Sequence, residues 1–346
     1  MKILNYRTFL CLGSVLMVFS LQLNALHRQD IPFGLFEDED ILKISLSFDI
    51  ATFMQDKPEE EYLPAIISIH NGGGHPVSRE IKLRARGNYR RNNCAFPPVM
   101  LNFEDADTGY PDIDELEKVK LVSHCMDDDR YETYILREYL AYKIYNAVTE
   151  YSFRVRLLDV NYYDINYDTL YASRYGFILE PVDVLEVRFG QEELEGIEIE
   201  EAAVENDILL DVCVFQYLIG NSDWSVPLIH NLKVFGDISP GEKLITVPYD
   251  FDYSGWVNSH YAVALGNRGL EDITERTFLG PCRSRQEYRA VLDHYLGLEE
   301  TIIDTIKEFK YLKGPERRDL IRYVKSFYKL YRKDAIIDIF LQPCNK

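Results

Sequence analysis

Apolar and polar residues alternate over positions 41–48, 66–69 and 81–85, a period of two that predicts strands with one buried face. Asn71-Gly72-Gly73-Gly74 stands between the second and third of these and reads as their hairpin loop. Stretches 99–103 and 119–123 predict two more strands, separated by the polar, acidic loop 104–117. Asp127-Asp128-Asp129 then opens a helix over 130–148, where acids suit the positive N-terminal end. Ile135, Leu136, Leu140 and Ile144 are its residues available for packing. Strands return over 153–159 and 171–179. Beyond the acidic connection 192–205, residues 208–219 are apolar nearly all round, the pattern of a helix in the centre of a lobe. A short hairpin turning through Gly236 and Gly241 follows, and the remainder reads as helices over 285–309 and 316–338. The pattern predicts an α+β protein, with a strand-rich N-lobe over 26–182 and a mainly helical C-lobe over 183–346.

At 346 residues and 47% hydrophobic, the chain has the material for one large core or two modest lobes. Residues 1–25 read as a targeting segment: Lys2 and Arg7 precede an almost wholly apolar run over 9–23. That run falls short of the roughly 20 residues a spanning helix needs, so a cleaved secretory signal is expected. A secreted, periplasmic or cell-envelope location follows, with membrane contact only through an uncleaved signal segment. The 57 acidic residues outnumber 38 Lys and Arg, a balance that repels a phosphate backbone and argues against a nucleic-acid partner. Basic polypeptides are electrostatically better partners. Among the cysteines no CxxC or Cys/His pair has zinc spacing. Cys94 and Cys125 flank two adjacent predicted strands and would pair in an exported protein, whereas Cys213 falls inside the apolar helix as a core residue.

The chemistry concentrates in two segments. Gly220-Asn221-Ser222-Asp223, running on to His230-Asn231, follows the apolar helix, and Val247-Pro248-Tyr249-Asp250-Phe251-Asp252 ends an apolar strand one strand-turn-strand later. An Asp on a loop, an Asn a few residues on and an Asp after the next hairpin are the minimal equipment for Mg²⁺-dependent phosphoryl transfer. One carboxylate orients an attacking hydroxyl, while the Asn side-chain oxygen and the second carboxylate hold metal on nucleotide phosphates. Asp223 is the first of these, Asn231 and Asp250 the others, with Asp252 beside them as a further metal ligand or a partner that orients the first.

These residues resemble the CotH family, the atypical protein kinases named for a bacterial spore coat protein. The resemblance spans about residues 82–255. It is carried by Arg84-Ala85-Arg86-Gly87-Asn88, Leu136-Arg137-Glu138, Tyr175-Gly176-Phe177-Ile178-Leu179-Glu180, Gly220-Asn221-Ser222-Asp223, His230-Asn231 and Pro248-Tyr249-Asp250-Phe251-Asp252. It implies a two-lobed, atypical protein-kinase-like fold that binds ATP and Mg²⁺, or another divalent cation, and phosphorylates Ser or Thr of a protein, a basic or Ser/Thr-rich one being the natural acceptor. It implies Asp223 as the catalytic-loop Asp, Asn231 and Asp250 as metal holders, Glu138 as the acid that pairs with a phosphate-binding lysine, and Glu180 near the adenine. Lys120 is in the topological place of that lysine, with Lys82, Arg84 and Arg86 as alternatives. Residues 224–229 lengthen the loop between Asp223 and Asn231, so they must bulge for Asn231 to return to the metal. Two other classes compete with the kinase: a non-catalytic binding or surface-assembly protein, and a metal-dependent hydrolase using Asp223, Asp250 and Asp252.

Overall fold

Strand β1 (Leu42–Phe48) buries every second side chain, and the same alternation recurs in its neighbours and decides the architecture. The computed structural model describes residues 33–37, 40–70, 76–104, 106, 108, 110–239, 241–264, 266 and 269–345. The expected signal segment and the Asn71-Gly72-Gly73-Gly74 loop lie outside the described residues. After β1 come α1 (Ile50–Asp56), β2 (Leu63–His70), β3 (Val77–Ala85), the short α2 (Tyr89–Asn93), β4 (Val99–Asn102), α3 (Pro111–Asp114) and β5 (Lys118–Val122). The long α4 (Asp129–Val148) precedes β6 (Val155–Asp164), β7 (Thr169–Leu179) and α5 (Val182–Phe189). The rest comprises α6 (Asn206–Ile219), the hairpin β8 (Leu232–Phe235) and β9 (Ile245–Pro248), then α7 (Arg285–Gly297), α8 (Glu299–Glu308), α9 (Gly314–Arg332) and α10 (Ala335–Phe340).

Strands β1 to β7 form a closed barrel in the order β1-β2-β3-β4-β5-β7-β6. Closure is made by β1, which pairs antiparallel with β2 on one side and parallel with β6 on the other. Side chains such as Leu46, Ile67, Leu83, Leu121 and Val160 fill the interior. The expected two-lobed kinase-like fold is corrected by this closure: the strands make a closed mixed barrel with helices following, instead of a kinase-type lobe. Alternation in sequence reveals which face of a strand is buried but not where its edges pair. The β1–β6 pairing joins segments separated by most of the barrel sequence and leaves no local signal.

The outer face of β5, β6 and β7 is apolar as well. Val122, Val155, Leu157, Phe177 and Leu179 join a second core shared with α4, α6 and the C-terminal helices. Helix α6 is its centre, buried along almost its whole length. The acids at the start of α4 do cap it: Asp128 accepts the Arg130 N–H at 2.8 Å. Among the described residues two disulfides form, Cys94–Cys125 beside the barrel and Cys282–Cys344 at the helical end, and Cys213 is a buried free thiol. Replacing both Cys94 and Cys125 by Ser releases a 31-residue loop and is expected to lower stability by about 3–4 kcal/mol. Denaturant unfolding of the double variant checks this. An unchanged midpoint would contradict it.

Candidate active-site cleft

Helix α6 stops at Gly220. Its φ is +64°, and a Cβ there would run into the Tyr323 hydroxyl, so the position favours glycine. Asn221 Oδ1 then accepts the Asp223 N–H at 2.9 Å. The turn is therefore built by Asn221, and the Asp223 carboxylate is left for other contacts. The long connection after it closes on itself: Ser225 and His230 exchange backbone hydrogen bonds of 3.1 and 2.9 Å. Ile229, just before the return, has φ +48°, a left-handed conformation rare for a β-branched residue and a sign of strain at this turn. The result is the bulge that the sequence demanded. It carries His230 and Asn231 back to Asp223.

Asn231 donates its side-chain amide to Asp223 twice, to the backbone carbonyl at 2.7 Å and to Oδ2 at 3.1 Å. His230 Nε2 lies 3.0 Å from Asp223 Oδ1. Both carboxylate oxygens are thereby oriented, yet the Asp223 side chain remains 38% exposed and open to a partner molecule. Since Asn231 Nδ2 is turned to Asp223, its Oδ1 is the atom left to accept a ligand.

The β8–β9 hairpin brings Asp250 to the same place. Leu232 is in register with Pro248, and the Tyr249 N–H continues the ladder to the Asn231 carbonyl at 3.1 Å. Asn231 is thus opposite Tyr249 and next to Asp250. Asp250 leaves the ladder at φ +64°, and its N–H donates to Tyr142 Oη at 2.9 Å. Phe251 is fully buried, its ring 4.5 Å from that of Tyr142 and 5.3 Å from that of Phe215. This apolar anchor fixes the two acids on either side of it. Asp252 is buried, and its Oδ2 accepts the Tyr261 hydroxyl at 2.9 Å.

The barrel supplies an opposing cationic wall. Lys120 sits on the outward face of β5, between Met100 and Leu179 in register. Arg86 prolongs β3, its N–H bonded to the Pro98 carbonyl at 2.9 Å. Arg90, on α2, donates to the Ser123 carbonyl at 2.7 Å and lies 4.0 Å from Glu138 of α4. The Cys94–Cys125 disulfide ties the end of α2 down beside this wall. Lys120 and Arg86 have no ion-pair partner among the described residues. Lys120 Nζ instead lies 5.6 Å from the centre of the Tyr249 ring.

Arg86, Arg90, Lys120, Glu138, Tyr142, Asp223, His230, Asn231, Asp250 and Asp252 all line one cleft of about 650 Å³, a size suited to a nucleotide-sized ligand. Of the residues singled out in the sequence, Asp223, Asn231, Asp250, Asp252, Lys120, Glu138 and Arg86 meet here. Glu180 does not. Its buried carboxylate is held by Arg154 (2.7 Å) and Arg188 (2.8 Å), where it locks β6, β7 and α5 together instead of facing a ligand. Glu138 is in place, but its cationic neighbour is Arg90 and not Lys120. Of the alternatives for a phosphate-binding cation, Arg86 lines the cleft, whereas Arg84 packs 5.3 Å over the Tyr62 ring. Arg90, Tyr142 and Tyr261 went unnoticed in the sequence. Only Tyr142 carried a usable signal, its spacing of four from Glu138, which puts both on one helical face.

Like charges crowd the carboxylate side. Burial, followed by the Asp250 charge, pushes Asp252 up to about 7. Burial and then Asp252 hold Glu138 well above the usual carboxylate range. Across the cleft, burial and then Arg86 and Lys233 lower Lys120 to about 8. The pH dependence follows from Asp252. The native protein keeps a proton there that the unfolded chain releases above its ordinary value of 3.8, so stability is lost as pH rises from about 4 to about 7 and levels off beyond. In buffer containing EDTA, Asp252→Asn is expected to rise in melting temperature relative to wild type by about 5 °C between pH 5 and 8. A difference that stays flat over that range would contradict the assignment.

Among the described residues no three His, Cys, Asp or Glu side chains gather closely enough to hold an ion by themselves. The donors available are the carboxylates of Asp250 and Asp252 and the amide oxygen of Asn231. That set fits Mg²⁺, which is bound through one or two carboxylates and completes its shell with water and substrate phosphates. The upward pKa shifts at Asp252 and Glu138 are compatible with this, because a cation relieves the like-charge repulsion that causes part of them.

The chain matches no family model and no curated protein.

Proposed function

We propose that the protein is a Mg²⁺-dependent phosphotransferase that moves the γ-phosphate of ATP to a Ser or Thr hydroxyl of a protein, as its resemblance to the CotH kinases implies. One observation carries the reading: Arg86 and Lys120, which form no ion pair within 4.0 Å among the described residues, line one cleft together with Asp223, Asn231, Asp250 and Asp252, and both feel the Asp250 charge. A plain anion site would not need the acids. A hydrolase that works on its carboxylates alone would not need the cations. The two together suit a metal–phosphate complex.

In this reading Arg86 and Lys120 take the phosphate oxygens, and Arg90 is kept in place by Glu138 and the Ser123 carbonyl. Asp250, Asp252 and the Oδ1 of Asn231 hold the divalent ion, which, when bound, neutralises charge on the phosphates. Asp223 receives the proton of the acceptor hydroxyl, its carboxylate aimed by Asn231 and His230. Export to an oxidising compartment belongs to the same proposal and is supported by the two disulfides.

The test is to incubate the purified mature chain with γ-labelled ATP, Mg²⁺ and a cell-envelope extract. Label on Ser or Thr of a protein, lost when EDTA is added, is the expected result. Absence of transfer together with no thermal shift from ATP and Mg²⁺ would contradict the reading. A thermal shift without transfer would instead favour a non-catalytic binding protein.

A further inference from the structure

The geometry points to Tyr142 as the positioning residue that aims the Asp250 carboxylate at the metal, an inference that rests on the phosphotransferase reading. The Asp250 N–H lies just beyond the last hairpin bond, because Tyr249 has already taken the Asn231 carbonyl. Its acceptor is the Tyr142 hydroxyl at 2.9 Å. The Asp250 backbone is left-handed at φ +64°, a conformation that Asp tolerates better than most non-glycine residues yet still at a cost in strain, so a fixed hydrogen-bond partner helps to hold it.

Tyr142 is well placed to impose it. The residue is buried on α4, its ring packed 4.5 Å from Phe251 and 5.6 Å from Phe177, so the hydroxyl has little freedom to move. Four residues earlier on the same helix stands Glu138. One rigid face of α4 thus holds the residue next to Arg90 and the residue that fixes Asp250, coupling the cationic wall to the carboxylate side. Removing the hydroxyl takes away the protein acceptor of that N–H and leaves it to water. Relaxation of that strain returns Asp250 towards negative φ and swings its carboxylate away from Asn231 and Asp252.

Tyr142→Phe keeps the ring and its packing, and Mn²⁺ alone is the probe. Titration followed by electron paramagnetic resonance should show a dissociation constant about tenfold weaker than wild type. In the transfer assay KM for the metal should rise by a similar factor, while kcat at saturating metal stays within about twofold. A merely structural role for Tyr142 would lower the melting temperature and leave Mn²⁺ affinity alone, and that outcome overturns the inference. Wild-type protein that binds no Mn²⁺ overturns the phosphotransferase reading together with this one, so the two failures are distinguishable. Should Tyr142→Phe fail to fold, hydrogen exchange of the Asp250 amide in wild type decides. Protection that increases about tenfold on adding Mn²⁺ or Mg²⁺ supports the inference, and exchange at the solvent rate overturns it.

Discussion

Asp250→Ala is expected to lower the rate of phosphoryl transfer by about 10³-fold and to abolish Mn²⁺ binding at micromolar metal. Phosphoryl transfer depends on positioning and on neutralising charge, and removing even one charge-stabilising contact costs about 10²–10³ in rate. In the proposed site Asp250 would contribute more than one such contact, because Asn231 and Asp252 would hold the ion only alongside it. The same substitution should raise stability in metal-free buffer at pH 8. Asp250 is the largest charge acting on Asp252, and removing it lets that buried carboxyl ionise more easily. Single-turnover transfer and thermal melting, measured on the same preparation, check both halves. Loss of activity with loss of fold would fail to bear this out, since a catalytic acid held at a cost in stability must leave a fold at least as stable when it goes. Unchanged transfer would remove Asp250 from the site altogether.

Asp223→Asn is expected to lower kcat by about 10²–10⁴ while the affinity for ATP and metal stays within about twofold. Asp223 stands apart from the set proposed to hold the ion. Its oxygens are engaged by Asn231 and His230, and its exposed side faces the space an acceptor hydroxyl would enter. An amide in its place keeps the shape but loses the ability to take a proton, and general-base assistance contributes in that range. Rapid-quench kinetics with separate nucleotide titration distinguishes the roles. A scaffold protein that merely binds nucleotide would show no change in either measurement. A hydrolase relying on Asp223 as a metal ligand would lose metal affinity instead.

The two chemical segments were legible because their residues act over short sequence distances. Asn231 and Asp250 flank one hairpin, so the pairing of Leu232 with Pro248 alone brings them together. Asp223 and Asn231 are joined by a loop whose excess length closes through Ser225 and His230, a device that no periodicity announces. Lys120 falls within the predicted strand 119–123, and Arg86 stands just past the predicted strand 81–85. Their position opposite the acids depends on how the barrel packs on the helical body, which the sequence does not state. Glu180 reads in sequence like a cleft residue at the end of a strand. Arg154 and Arg188, one on each side of it in the chain, neutralise it instead, and only tertiary structure reveals such a pairing. The barrel was missed for the related reason that closure is made by the first strand pairing with the sixth. The Cys94–Cys125 pairing was readable from flanking strands, whereas Cys282–Cys344 joins two segments of the helical end that show no such geometry in sequence.

The measurement that bears most directly on the central claim is anomalous diffraction from crystals of the wild-type protein grown with Mn²⁺ and a non-hydrolysable ATP analogue. A Mn²⁺ peak is expected within coordination distance of Asp250 and of at least one of Asn231 and Asp252, with analogue phosphates between that ion and Arg86 or Lys120. Mn²⁺ and nucleotide found only outside this cleft, or a cleft holding neither at saturating concentrations, would contradict it.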